Sequence, residues 1–400
     1  MSGHVHSRTH FASFFSGWFF ILLAITASTF QTIAMAAVRP IGEPEFSKLL
    51  AEAENGSLRA EVEIAKAYAS GQVGKVNYEE AARWYRKASD RGEPDSQTNL
   101  GALYLLGLGV ERNESEAVRW FQRAASSGYL VAQHNLAVVC LNGWGVPKDP
   151  QRGLDLLIRS ASAGLEISQV DLALVYMRGQ IVPRDPEMGV RWLRRAARHD
   201  YPAANFLLGV AYENGEGVKA DVSRAVEFYR KAADKGYAAA QNNLGRIYFQ
   251  GSAGKQDKRE ALRLFSAAAE QGNGQSYLNL ALCSLVGCAR VIDATAAYSW
   301  YLSAGASGAA IPRTFHEKFT QLAKELDENQ IKQAQSDSQA WIKQHPSADP
   351  RTPVQLRHVP NAAFAANQQP RIIDNSEVFN TLWQQTPYMP PHLRNRDSVR

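Results

Sequence analysis

The sequence predicts an all-α solenoid of about seven helix-hairpin repeats of 36 residues each, closed by a C-terminal capping helix. Three observations carry this. An apolar column recurs without insertion or deletion at Ile64, Leu100, Leu136, Leu172, Leu208, Leu244 and Leu280, each followed by a small residue, as at Ala65, Gly101 and Gly209. Glycines punctuate the same lattice at Gly71, Gly107, Gly143, Gly179, Gly215, Gly251 and Gly287, and again at Gly92, Gly128, Gly164, Gly236, Gly272 and Gly308, with Asp200 filling the remaining place. The third is an absence of alternating β-branched runs in a chain of 400 residues whose 45% hydrophobic and 21% charged content can bury a large core. A fixed period of this length marks units too small to bury their own apolar face, which stack on their neighbours to complete a core.

The chain divides into five parts. Residues 1–36 read as a signal peptide, or alternatively as a signal anchor: Phe11 to Val38 holds no charge, Phe14 to Ala27 is densely apolar, and Ala34-Met-Ala36 supplies small residues for cleavage between Ala36 and Ala37. The uncharged span is long enough to cross a bilayer, although Ser28, Thr29, Gln31 and Thr32 make its second half a poor fit to hydrocarbon. Export to the periplasm or the exterior is the expectation, and anchoring in the inner membrane the alternative. No cysteine follows the apolar run, which argues against a lipoprotein. Residues 37–56 form a lead-in and a first helix.

Residues 57–308 are the repeats, and 93–128 show their plan. The first helix presents Leu100, Leu103 and Tyr104 on one face, with Gly107 and Gly109 stopping it; Asn113 then caps a second helix whose apolar face is Ala117, Trp120, Phe121, Ala124 and Ala125. Rings or leucines share one slot at Trp84, Trp120, Leu156, Trp192, Phe228, Leu264 and Trp300, beside a small-residue slot running from Ala88 to Ala304. Rings at helical spacing next to a column of small residues read as core rather than as a ladder for a ligand. Residues 309–344 form the capping helix, broken near Asp327 to Asn329. Residues 345–400 hold eight of the seventeen prolines and are expected to be a disordered or extended tail, with Ile372-Ile373 to Trp383 as a candidate docking motif.

The string from Asn99 to Val110, followed by Ala117 to Ala125 and Gly128, closely resembles the Sel-one-like repeat, a relative of the tetratricopeptide repeat. The resemblance implies a right-handed α/α superhelix, with first helices lining a concave surface that binds protein, and a role as adaptor or scaffold in envelope assembly or signalling. Relatives in a cysteine-rich subgroup carry claims of cell-wall or β-lactam hydrolysis, which leaves a hydrolase as the alternative; an inner-membrane-anchored signalling regulator is another. The regular cysteine pairing of that subgroup is missing here. Cys283 and Cys288, five apart across a helix end, are spaced for a short disulfide, with two partly buried thiols as the other reading, and Cys140 in a tyrosine slot is expected to be a buried free thiol.

Catalytic signatures are absent from the sequence, which has no nucleophile elbow, phosphate-binding glycine loop or zinc helix. No metal, cofactor or catalytic residue is expected. His4, His6 and His10 lie in the leader, and the other histidines lack the paired spacing that zinc needs. Asp149, Asp185 and Asp221 recur just before second helices and read as N-caps rather than general bases.

Binding residues are sought in two polar columns and one basic stripe. Asn99, Asn135, Asp171, Asn243 and Asn279 recur on the first helix, with Asn142, Arg178, Asn214 and Gln250 two turns further on; their side chains would bond the backbone of an extended peptide, or else tie adjacent hairpins together. Lys87, Arg123, Arg159, Arg195 and Lys231 form a basic stripe on the second helix. With a net charge of +5 the stripe invites nucleic acid, but export argues against it, and contact with an anionic envelope polymer or an acidic partner is kept instead. The chain is expected to act as a monomer.

Overall fold

A computed structural model describes residues 41–288 and 291–345. The cleavage site at Ala36 and Ala37 and nearly all of the proline-rich tail lie outside them. Seventeen helices and no strand occupy the described residues. Helix α1 (Glu43–Glu54) leads in. Seven hairpins follow: α2 (Leu58–Ser70) with α3 (Tyr78–Asp90), α4 (Pro94–Leu106) with α5 (Glu114–Ser126), α6 (Leu130–Asn142) with α7 (Pro150–Ser162), α8 (Glu166–Arg178) with α9 (Pro186–Ala197), α10 (Pro202–Asn214) with α11 (Val222–Asp234), α12 (Ala238–Gln250) with α13 (Lys258–Glu270), and α14 (Gly274–Val286) with α15 (Ala294–Ala306). Helices α16 (Arg313–Ala323) and α17 (Glu328–Gln344) end the described chain. From α1 to α14 each helix packs mainly on its sequence neighbours, which makes the molecule an α-solenoid.

Local chemistry sets the hairpin. Asn77, Asn113, Asp149, Asp185, Asp221, Asp257 and Asp293 each accept a backbone N–H of the following second helix through the side chain, so the periodic acids are caps. The first helices end on left-handed glycines, and Asp200 adopts the same region with φ 52° where the other repeats carry glycine. Inside the hairpin the two helices close until side chain meets backbone. A Cβ on Gly101 would lie 2.7 Å from Phe121 Cε1, so only hydrogen fits beneath that ring. Between hairpins, Gln97, Gln169 and Gln241 each reach back eight residues to donate Nε2 to the carbonyls of Ser89, Ala161 and Ala233.

Burial divides the two helices of a repeat. First helices are enclosed on most sides: in α6 nine side chains from Ala132 to Leu141 are buried. Second helices are amphipathic, burying in α5 only Ala117, Val118, Trp120, Phe121 and Ala124. Tyr85, Phe121, Leu157, Leu193, Tyr229 and Phe265 are at most 1% exposed and form the floor of the continuous core. The neighbouring ring slot is core in only some of the repeats. Trp84, Trp120 and Leu264 are buried, whereas Leu156, Trp192, Phe228 and Trp300 are half-buried.

The C-terminal cap is two helices instead of one broken helix. Asp327 and Gln330 form a reciprocal capping box that starts α17 afresh. Helix α17 then packs on α15, with Trp341 edge-on to Trp300 at 4.9 Å and Ser303 Oγ donating to Ser338 Oγ at 3.0 Å. Cys283 and Cys288 are joined by a disulfide with Cα atoms 5.1 Å apart, and Cys140 is free and buried.

Candidate functional site

The first-helix amide column lies inside the solenoid. Asn99, Asn135, Asp171, Asn243 and Asn279 are between 0% and 8% exposed, which removes them from contact with a peptide and corrects the concave-surface expectation for these residues. The reason is the stacking itself: each first helix is flanked by the second helices of its own and the preceding hairpin. Asn279 Nδ2 instead donates to Asn242 Oδ1 of the preceding repeat at 2.8 Å, and Asn243 Nδ2 donates to the Tyr229 hydroxyl at 3.3 Å.

The second column is accessible. Asn142, Arg178, Asn214 and Gln250 are the last residues of α6, α8, α10 and α12, directly before the glycine caps. Asn214 is exposed and the other three half-buried, one per repeat along a single rim of the stack. Asn142 Nδ2 donates to its own helix at Val138 O, and Gln250 Oε1 accepts from Arg246 and Ser252, both at 3.2 Å.

The basic stripe is solvent-exposed at all five positions. Its cations nevertheless have local work. Lys87, Arg123, Arg195 and Lys231 stand 4.3, 4.9, 4.7 and 5.6 Å from the ring centroids of Trp84, Trp120, Trp192 and Phe228. Each covers the edge-facing ring one turn below it, so the stripe shields apolar surface as well as carrying charge.

Two clusters escape sequence reading. Glu213 of α10 occupies a slot that is Ala69, Leu105, Leu141, Met177, Phe249 and Leu285 elsewhere, and its side chain is 8% exposed. It pairs with Arg246 of α12 across the repeat boundary and accepts the Tyr229 hydroxyl at 2.7 Å. The only signal was a charge breaking an apolar column. The second cluster joins Ser168, His134 and Asp171. His134 Nδ1 is 3.1 Å from Ser168 Oγ, and Nε2 is 3.6 Å from Asp171 Oδ2, a spacing that resembles a nucleophile, base and orienting acid.

Burial silences that resemblance. Ser168 and His134 are fully buried and Asp171 is 2% exposed, so no substrate reaches the hydroxyl. Burial lowers the His134 pKa to about 4 and raises that of Asp171 to about 8, the Arg178 charge opposing the latter. A weakly basic imidazole facing a protonated acid has no anion to stabilise an imidazolium. Among the described residues, no three histidine, cysteine or acidic side chains group to hold a metal ion.

These shifts set a pH dependence. The raised pKa of Asp171 gives stability that is present at low pH and lost as pH climbs from 3.8 to about 8; the lowered pKa of His134 gives stability present above 6.5 and lost toward about 4. The two slopes cancel between about 4 and 6.5, leaving Asp171 alone above that. The unfolding free energy is expected to fall by about 2 kcal/mol from pH 6.5 to 8, at roughly 1.4 kcal/mol per unit. Urea titrations of wild type and Asp171→Asn across this range check it; equal slopes in both would reject the assignment.

The Sel1 repeat family matches at residues 58–93, 94–129, 130–165, 167–201, 202–237, 238–273 and 274–308. A Sel1 repeat protein from Oxalobacter formigenes is similar at 29% identity and a TM-score of 0.56, over 71% of this chain and 81% of that one. A protective antigen of uropathogenic Escherichia coli displaying an SLR fold is 28% identical over 76% of this chain and 73% of its own, with a TM-score of 0.43. An immunity protein from Pseudomonas aeruginosa is 23% identical over 53% of this chain and 82% of its own, with a TM-score of 0.38. The last two align too loosely to bear on function. No curated protein matches the chain.

Proposed function

The chain belongs to the Sel1 repeat family, whose members typically bind proteins and are generally non-catalytic, and from that premise we propose that it is an exported scaffold that holds a protein partner along the first-helix rim. The observation carrying this reading is the rim itself. Asn142, Arg178, Asn214 and Gln250 offer one polar side chain per repeat at the exposed ends of four successive first helices. An extended segment meeting such a rim finds amides and a guanidinium at regular intervals, next to helix-terminal carbonyls, and gains affinity by adding weak contacts. The buried serine, histidine and aspartate set favours the scaffold over the hydrolase, since they are closed to substrate.

Export rests on the uncharged apolar leader with its small-residue cleavage site, and is supported by the disulfide between Cys283 and Cys288, a bond that persists in oxidising compartments. Among the described residues no helix is long and apolar enough to cross a membrane. The test combines two measurements on the full chain expressed from its own start. Mass spectrometry of the purified protein should find Ala37 at the N-terminus, and crosslinking in intact cells should capture a defined envelope protein that is lost on changing Asn214 and Gln250 to alanine. A retained Met1 or Ser2 overturns export; capture unaffected by the substitutions overturns the rim; turnover of a cell-wall or β-lactam substrate that tracks with purity overturns the scaffold.

A further inference from the structure

Between α9 and the loop joining α10 to α11 lies a pocket of about 430 Å³, open to solvent and walled by Arg194, Tyr212, Lys219, Asp221 and Arg224. Three cations face one carboxylate there, and that carboxylate already serves as the N-cap of α11. Arg194 Nη2 and Arg224 Nη1 both donate to the Tyr212 hydroxyl, at 3.0 and 3.3 Å. With both lone pairs of the phenol occupied, its own proton remains to be donated outward. The two guanidinium groups are thereby oriented toward one point while most of their donors stay uncommitted.

A local rule of the repeat is broken here. The third position of the second helix is Glu80, Glu116 and Glu260 in three sibling repeats, where an acid suits the positive helix end; Arg224 reverses the sign and works against the dipole. Arg152 shares that reversal in the third repeat, but there Cys140 replaces the tyrosine and Gln122 the opposing arginine. In the sixth repeat Arg230 donates to Tyr248, yet Glu260 replaces the arginine and pairs with Arg263. Only the junction of repeats four and five combines both arginines, the tyrosine and a lysine at position 219. Arg224 Nε also lies 3.6 Å from Asp221 Oδ2, which offsets part of the unfavourable dipole contact and leaves Arg194 and Lys219 in excess over the single carboxylate.

We infer that this pocket binds a dianionic phosphoryl group, held by the forked donors of Arg194 and Arg224, the hydroxyl proton of Tyr212 and the ammonium of Lys219. Two positive charges in excess match the charge of roughly −1.5 to −2 that a phosphomonoester carries at neutral pH, which a carboxylate does not. Glu227, one turn along α11, acts on Arg224 more weakly than Asp221 and does not line the pocket. Burial pushes the Tyr212 phenol up, but the hydrogen bonds and charges of Arg194 and Arg224 outweigh it and hold the group below its ordinary value, the sign of a field that favours anions. The inference is independent of the rim: its residues are distinct, and either can fail alone.

Calorimetric titration of the full chain tests it, with sodium phosphate, glycerol 3-phosphate and sodium acetate at constant ionic strength and pH 7.5. Saturable one-to-one binding of phosphate and glycerol phosphate is expected, weakened at least tenfold by Arg224→Glu, the residue found in three sibling repeats, and by Arg194→Gln, the residue found at position 122. Arg230→Gln, at the corresponding place one repeat on, should leave it unchanged. Vesicles of phosphatidylcholine with and without phosphatidic acid separate the sources: binding of the phosphatidic acid vesicles alone, lost with Arg224→Glu, identifies a lipid headgroup, while binding of the soluble ester identifies a free metabolite. Acetate binding as tightly as phosphate overturns the phosphoryl assignment. Absence of saturable binding to any phosphate probe, or binding indifferent to both arginine variants when their melting temperatures match wild type, overturns the site.

Discussion

Alanine at Glu213 is expected to lower the free energy of unfolding by about 3 to 5 kcal/mol, because it strands a nearly buried guanidinium. Arg246 is 13% exposed, and its partner across the repeat boundary is Glu213, whose other oxygen accepts the Tyr229 hydroxyl. Removing the carboxylate leaves both donors unsatisfied, with Gln250 Oε1 as the acceptor that Arg246 retains. The favourable attraction of the pair is largely consumed by desolvation, so the intact pair contributes little net stability while the broken pair costs much. The double variant Glu213→Leu with Arg246→Met, which fills the space with apolar groups, should therefore return to within about 1 kcal/mol of wild type. Urea midpoints of the two singles and the double close this cycle. Losses that simply add would mean that the two residues do not interact energetically. Hydrogen exchange should show α10 to α12 opening first in the alanine variant, since each repeat is held chiefly by its neighbours.

How much of this was legible follows from what periodicity can express. Caps were readable because residue type and register coincide: an Asn or Asp immediately before each second helix has one economical use, and all seven serve it. The cover over the last hairpin was readable in place, though the Asp327 capping box made two helices of it. The amide column was misplaced because a repeat length reports that residues are equivalent without saying which way they face. A better signal was available. Helix α6, Leu130 to Asn142, contains no Asp, Glu, Lys or Arg at all, which marks a helix enclosed on most sides, so its Asn135 had to be interior. Clusters assembled from different repeats, such as Ser168 with His134 and Asp171, depend on the stagger between neighbouring hairpins. That stagger is a packing result no single-repeat pattern encodes.

Gly109, Gly145 and Gly217 make the same point, and they carry the second large effect. In the sequence Gly109 reads with Gly107 as a helix stop, yet the first helices are capped by Gly107, Gly143 and Gly215, two residues before each of the three. In the structure each packs its backbone against the first turn of the preceding hairpin's second helix. A Cβ on Gly145 would fall 2.3 Å from the Glu114 carbonyl oxygen, while φ of +68° is itself disfavoured for a side chain. The contact is reinforced by the Gly145 N–H donating to Glu114 Oε2 at 3.1 Å. Gly145→Ala is therefore expected to cost about 3 to 5 kcal/mol, the sum of left-handed strain and backbone displacement. Gly128→Ala isolates the first part: it shares a positive φ, +86°, but nothing lies within 4 Å of the new methyl, so about 1 to 2 kcal/mol is expected. Equal losses in urea unfolding would show that conformation alone sets the requirement for glycine. The larger loss at Gly145 would locate the lock between hairpins in a backbone contact.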